Sequence, residues 1–194
     1  MLTIFRRFAA VVIVTIAATL TAAGSYNDIL TIRSANRGIA ALRSMNDGEH
    51  YTVLSKNAII RRAYSDQRVC DTLFVAPFAI AGYTLSPDEK MALVPQATTI
   101  TPIYRHSYTA DYLLLRSGET MECFQAVRDI TFSADNKHIA YSKGNNLYLY
   151  NIANKSTTTI TDDGCWNKII NGTADWVYEE EYGFTKGYAF SPDS

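Results

Sequence analysis

The chain has few of the residues that build reaction chemistry into a small protein. Among 194 residues there are three histidines and three cysteines. Cys70, Cys123 and Cys165 show no Cys-x-x-Cys spacing and have no histidine cluster nearby, so neither a metal site nor any other cofactor is expected. In an oxidising compartment an odd count allows one disulfide plus one buried thiol, and the spacing does not choose the pair. No Gly-x-Ser-x-Gly elbow occurs, so the chain lacks the usual setting for a serine nucleophile with its base and orienting acid. His50 and His138 sit at repeated turn-to-strand positions and read as structural, which leaves His106 as an isolated candidate base. Clustered positive charge is missing as well: Lys and Arg number 18 against 19 Asp and Glu. A nucleic-acid partner is therefore not expected.

Residues 1–23 contain no acidic residue. Arg6 and Arg7 precede an apolar run from Phe8 to Leu20, and Thr21-Ala22-Ala23 offers small residues for cleavage, which is the pattern of an export signal. This run of 13 residues, apolar but for Thr15 and Thr19, falls short of the ~20 needed to span a bilayer, so no stable membrane span is expected once the signal is removed. Phe5 stands where a twin-arginine signal would have a polar residue, so ordinary secretion is the expectation. The mature chain, residues 24–194, then keeps 16 basic against 19 acidic side chains. It is expected in the periplasm or outside the cell.

Long amphipathic helical patterns are also scarce, whereas Thr is common and Tyr occurs 13 times, which favours an all-β chain. Its organisation emerges from repeats. Asp47-Gly48-Glu49-His50, Ser86-Pro87-Asp88-Glu89-Lys90-Met91 and Ser133-Ala134-Asp135-Asn136-Lys137-His138 each form a polar turn leading into an alternating strand, and Ser191-Pro192-Asp193-Ser194 begins a fourth. Their aspartates lie 41, 47 and 58 residues apart, at or somewhat above the ~40 to 50 expected of propeller blades. One blade can be read strand by strand: Ile130 to Ser133, His138 to Lys143, Leu147 to Ile152 and Thr157 to Thr161, separated by short polar turns. The expected fold is a partial β-propeller of about three four-stranded blades from a larger ring. Because three blades cannot close a ring, residues 24–194 read as an incomplete amino-terminal domain of a longer protein.

The widest interval between turns holds Asp175-Trp176-Val177-Tyr178-Glu179-Glu180-Glu181-Tyr182-Gly183-Phe184, three adjacent carboxylates framed by aromatic rings. Charge runs are usually solvated faces, and aromatic residues usually pack against a core or an interface. Adjacent like charges near apolar surface nevertheless repel, and the natural relief is a cation held between them. The run resembles the double-glutamate motif of the dipeptidyl peptidase IV family, the exopeptidase branch of the prolyl oligopeptidase superfamily, and all seven residues from Asp175 to Glu181 match. The resemblance implies that Glu180 and Glu181 hold the free α-amino group of a peptide, with Glu179 turned elsewhere. It also implies a short helical insertion for the motif, since neighbours on a helix diverge by only about 100° and can straddle one ammonium.

Tyr104-Arg105-His106-Ser107-Tyr108-Thr109-Ala110 is similar to a second segment of that family. The resemblance gives Arg105 the task of hydrogen bonding a backbone carbonyl of the bound peptide, for which the rigid fork of a guanidinium is suited. The plainer alternative is an ion pair with a local acid such as Asp111. Taken together the resemblance implies the front part of an exported serine exopeptidase that removes dipeptides from peptide amino termini. This part would anchor the substrate, while the triad would reside in a carboxy-terminal α/β-hydrolase domain absent from this chain, which alone would be inactive. The oligomeric state of the parent, a homodimer among the options, stays open. The competing reading is a non-catalytic exported propeller that binds a peptide or protein partner.

Overall fold

A computed structural model describes residues 41–116 and 119–192, all within a unit spanning Ala40–Ser194. The expected export signal lies outside the described residues.

The three aspartate turns fold alike, for a reason visible in their chemistry. In each, the aspartate Oδ1 accepts the backbone N–H two residues on: Glu49 N at 2.9 Å, Lys90 N at 3.2 Å and Lys137 N at 3.0 Å. The residue between adopts positive φ, namely Gly48 at 70°, Glu89 at 61° and Asn136 at 62°. Only the first repeat uses glycine for this left-handed position; the others bear the cost of a Cβ there. In the second and third repeats the serine closes the turn twice. Ser86 and Ser133 donate from Oγ to the aspartate and accept the N–H of Met91 and His138, each at 2.9 Å. The Ser133 hydroxyl and the Lys137 N–H draw the Asp135 carboxyl down to about 2.

Each turn joins the first two strands of a four-stranded antiparallel blade. Strands β1 (Arg43–Ser44), β2 (His50–Ser55), β3 (Ala58–Ala63) and β4 (Val69–Val75) form the first, in that order. The second consists of β5 (Thr84–Leu85), β6 (Met91–Pro95), β8 (Tyr108–Arg116) and the first part of β9 (Glu119–Phe132), with the short β7 (Thr101–Pro102) beside β8. The third uses the end of β9, then β10 (His138–Lys143), β11 (Asn146–Asn151) and β12 (Ser156–Thr159). The expected all-β partial propeller of about three blades is what the chain forms.

The third blade differs from its expected outline at one end. Its first strand does not start at Ile130 but continues a 14-residue strand that belongs to two blades. β9 pairs with β8 as far as Val127 and with β10 from Arg128 onward. It changes partner at two residues with positive φ, Ala126 at 52° and Asp129 at 55°. The Ala126 N–H is taken by Asp111 Oδ1 at 2.8 Å, and the Asp129 carboxylate pairs with Arg128 Nε at 2.7 Å where both side chains are about nine-tenths buried.

The middle blade is covered on both faces, and this explains its sequence. Alternate side chains of a strand point to opposite faces. Met91 and Leu93 of β6, with Tyr112 and Leu114 of β8, pack towards the third blade among Ile139, Tyr141 and Tyr150. Ala92 and Val94, with Leu113 and Leu115, pack towards the first blade among Ile59, Phe74 and Tyr83. Continuous apolar runs therefore replace alternation here, as they do wherever a sheet is buried twice. Leu93 and Leu114 are wholly buried, each contributing about 1.5–3 kcal/mol relative to exposure. The three cysteines, on β4, on β9 and beyond β12, are all free, and none is fully buried.

Replacing Ser133 by alanine removes both a donor to Asp135 and an acceptor for His138 N–H at a fully buried position. The expected cost is about 1–3 kcal/mol, read as a lower urea midpoint at unchanged slope. An unmoved midpoint would show that the serine does not hold the turn.

Candidate functional site

Two segments from different blades meet at the candidate site. One is the tight loop of residues 103–107 between β7 and β8, closed by Ile103 N–H donating to the Ser107 carbonyl at 2.9 Å. Arg105 stands at its tip with a side chain 76% exposed. The other is the excursion that follows β12 and carries helix α1 (Trp176–Tyr182).

The helix begins where Asp175 Oδ1 accepts the Tyr178 N–H at 3.1 Å, which satisfies one of the unpaired donors of a first turn. It ends at Gly183, whose φ of 71° is the left-handed conformation that glycine adopts without strain. Seven residues are too few for a helix to persist unaided, so its position depends on what fastens it. The base is tied by a Thr173–Lys186 bridge, by Ser142 Oγ donating to the Gly172 carbonyl at 3.1 Å, and by Arg128 Nη2 donating to the Thr185 carbonyl at 3.1 Å. The Tyr188 hydroxyl donates to the carbonyls of Asp129 and Ala140. A Cβ at Gly172 would meet Ser142 Oγ at 2.7 Å and the residue has φ of 74°, so the close approach requires glycine.

The tip is fastened by one residue. Glu179 is the buried side chain of α1, at 1% exposure. Its Oε1 accepts the backbone N–H of His106 at 2.5 Å and of Ser107 at 3.0 Å. Burial acts to raise its pKa, but hydrogen bonds from Ser107 and from the His106 amide outweigh it, and the carboxyl is held below its ordinary value. Oε2 and the Ser107 hydroxyl are enclosed with no well-formed partner.

With Glu179 turned into the protein, Glu180 is left partly buried and Glu181 exposed. Glu180 is 18% exposed at its side chain, and its Oε2 lies 4.0 Å from Arg105 Nη1. Arg105 thus reaches the acidic motif, while Asp111 is engaged by the Ala126 amide instead. Glu181 is exposed on the next position of the helix. The aromatic frame is not core: Trp176 and Tyr178 are each 54% exposed, Tyr182 65% and Phe184 58%. Tyr178 and Tyr182 rest against each other with ring centres 5.8 Å apart.

His106 enters the site through its backbone only, its ring being exposed. His50 pairs with Asp47 at 2.7 Å and His138 meets Asn151 at 3.2 Å, both within their own turns and strands. Among the described residues no group of three or more His, Cys, Asp and Glu is arranged to hold a metal. Sequence reasoning did not single out Ser107, Arg128, Asp129, Thr185 or Tyr188, which position the site. None carries a local pattern, because each acts across 48 residues or more except in the adjacent Arg128–Asp129 pair.

Residues 86–194 match the family described as the dipeptidyl peptidase IV (DPP IV) N-terminal region. The chain belongs to this family. It is 33% identical over 173 residues to dipeptidyl peptidase 4 of Trichophyton tonsurans, covering 84% of this chain and 22% of that protein. A probable dipeptidyl peptidase 4 of Emericella nidulans is 38% identical over 120 residues, covering 58% of this chain and 15% of that protein. The crystal structure of Porphyromonas gingivalis dipeptidyl peptidase 4 superposes with a TM-score of 0.69 at 34% identity, over 76% of this chain and 23% of that one. The chain therefore spans about a fifth of the length of these relatives.

Because the folded pKa of Glu179 is depressed, its contacts contribute stability above the ordinary value of 4.5, and that contribution is lost as pH falls through the lower folded value. Both tryptophans, Trp166 and Trp176, lie in the excursion after β12 and can report its release. Their fluorescence is expected to change with an apparent midpoint below 4.5, and the change should vanish in Glu179→Gln. A midpoint above 4.5 would contradict the assignment.

Proposed function

We propose that this chain supplies the substrate-anchoring part of an exported serine dipeptidyl peptidase that removes dipeptides from the amino termini of peptides. The observation that carries the reading is the juxtaposition of Glu180 and Arg105 from two different blades, 4.0 Å apart, with Arg105 largely exposed and Glu180 partly so. An ammonium needs carboxylates, and a peptide carbonyl needs a donor; the pair offers both within one dipeptide's reach. In this reading Glu180 and Glu181 take the α-amino group, and Arg105 donates to the carbonyl that follows. A separation of 4.0 Å is at the outer limit of an ion pair, and with Arg105 largely exposed the direct contact is open to exchange for substrate.

Fixing an amino terminus at a set distance from a nucleophile would make cleavage occur after the second residue. The nucleophile, base and orienting acid would come from an α/β-hydrolase domain beyond these residues, and the fragment alone would hydrolyse nothing. Residues 1–23 would direct export to the periplasm or the exterior. A free amino terminus would be a condition of binding, and neither a metal nor nucleic acid would take part.

In the full-length enzyme, Glu180→Ala or Glu181→Ala is expected to lower kcat/KM on a free-amine dipeptidyl substrate at least about tenfold, equivalent to ~1.4 kcal/mol of transition-state stabilisation. Amino-blocking the substrate should lower it comparably. Unchanged kinetics in both mutants would refute the anchoring role.

A further inference from the structure

We propose that Glu179 is the positioning residue that sets the separation between the carbonyl anchor Arg105 and the ammonium anchor Glu180, through its buried contact with the Arg105 loop. The inference rests on the anchoring role just described for Arg105 and Glu180, and it assigns a task to the glutamate that does not face substrate.

The geometry leaves few other links. Arg105 is exposed and sits on a five-residue loop, whereas Glu180 rides on a seven-residue helix from another blade. Their mutual contact is 4.0 Å long and open to solvent on the Arg105 side, so it holds the segments less firmly than a buried hydrogen bond does. The Glu179 carboxylate, by contrast, is 1% exposed and takes the amides of His106 and Ser107, the two residues directly after Arg105. Carboxylate-to-amide bonds in a buried setting are short and strong relative to neutral ones. One side chain thus joins the helix position before Glu180 to the loop positions after Arg105.

The Ser107 side chain lies in the same enclosed contact and acts to lower the Glu179 pKa. In glutamine the amide oxygen can keep the two backbone donors while its NH2 faces the Ser107 hydroxyl, so the link can persist without the charge. Glutamine is therefore the conservative variant, and it should preserve the spacing. Alanine removes the link altogether and leaves His106 and Ser107 N–H unpaired.

The test is a double-mutant cycle in the full-length enzyme with a free-amine dipeptidyl substrate. Glu179→Ala should lower kcat/KM about tenfold or more, mainly through KM, while Glu179→Gln stays within about threefold of the parent. If Glu179 acts by placing Arg105, the double variant Arg105→Ala/Glu179→Ala should fall no more than about threefold below Arg105→Ala alone. Losses that multiply, or an inactive Glu179→Gln beside a folded enzyme, would overturn the proposal. Where Glu179→Ala does not fold, Glu179→Leu fills the same space and carries the same expectation. Glu180→Ala measured alongside separates the two ideas. Loss in Glu180→Ala with full activity in Glu179→Ala defeats the positioning role alone, whereas no loss in Glu180→Ala defeats the anchoring reading beneath it.

Discussion

The arrangement of the acidic site depends on a single buried carboxylate accepting two backbone amides. Helices in soluble proteins are normally held by an apolar stripe, and α1 has none: Trp176, Val177, Tyr178 and Tyr182 are all exposed, and the residue it buries is Glu179. A desolvated carboxylate is costly unless its lone pairs are met. Here the cost is offset by N–H groups of His106 and Ser107, each charge-assisted bond contributing roughly 1.5–3 kcal/mol. Because the donors belong to the loop carrying Arg105, the same bonds that stabilise the helix also locate the guanidinium.

That contact would mean little on a yielding platform, and the blades supply a stiff one. The loop springs from β8, which is buried on both faces between two apolar clusters. The excursion is rooted on β9 and β10 through Arg128, Ser142 and Tyr188. β9 itself belongs to both blades, so the roots of loop and helix are adjacent parts of one continuous sheet. Burial pushes the Asp129 pKa up, and the Arg128 guanidinium works against that rise. Asp129 and Arg128 thus place a buried ion pair at the kink where the strand changes partners.

Much of this frame was legible in the sequence, and the reasons differ by element. The blade turns were readable because one side chain, the aspartate, makes the turn's own hydrogen bonds, so the signal is local. The strand after the Ser86 turn was expected to alternate, and its burial on both faces was not visible in the pattern. The shared strand escaped because its two bends use Ala126 and Asp129 in place of glycine, and nothing in a single residue marks a left-handed alanine held by Asp111. The helix was implied by a family resemblance, and its caps agree with physical expectation, Asp175 before it and Gly183 after it. The aromatic frame misled, since large rings usually pack and these do not. Ser107 was hidden in full view, two residues after Arg105, because its importance lies in an amide that every residue possesses.

Three adjacent glutamates also become intelligible once one of them is removed from the surface. On a helix successive side chains are separated by about 100°, so a third carboxylate beside the pair would add repulsion without sharing the same cation. Turning Glu179 inward places its charge against amide dipoles and leaves Glu180 and Glu181, one partly buried and one exposed, as the two carboxylates not taken by the backbone. Identical residues thus serve differently here, Glu179 fixing the helix while Glu180 and Glu181 remain available for the anchoring proposed above. Arg105, 4.0 Å from Glu180, compensates part of that charge without sealing it. Under the anchoring role proposed above, the ligand such a site would suit brings its own positive charge together with an acceptor for the guanidinium.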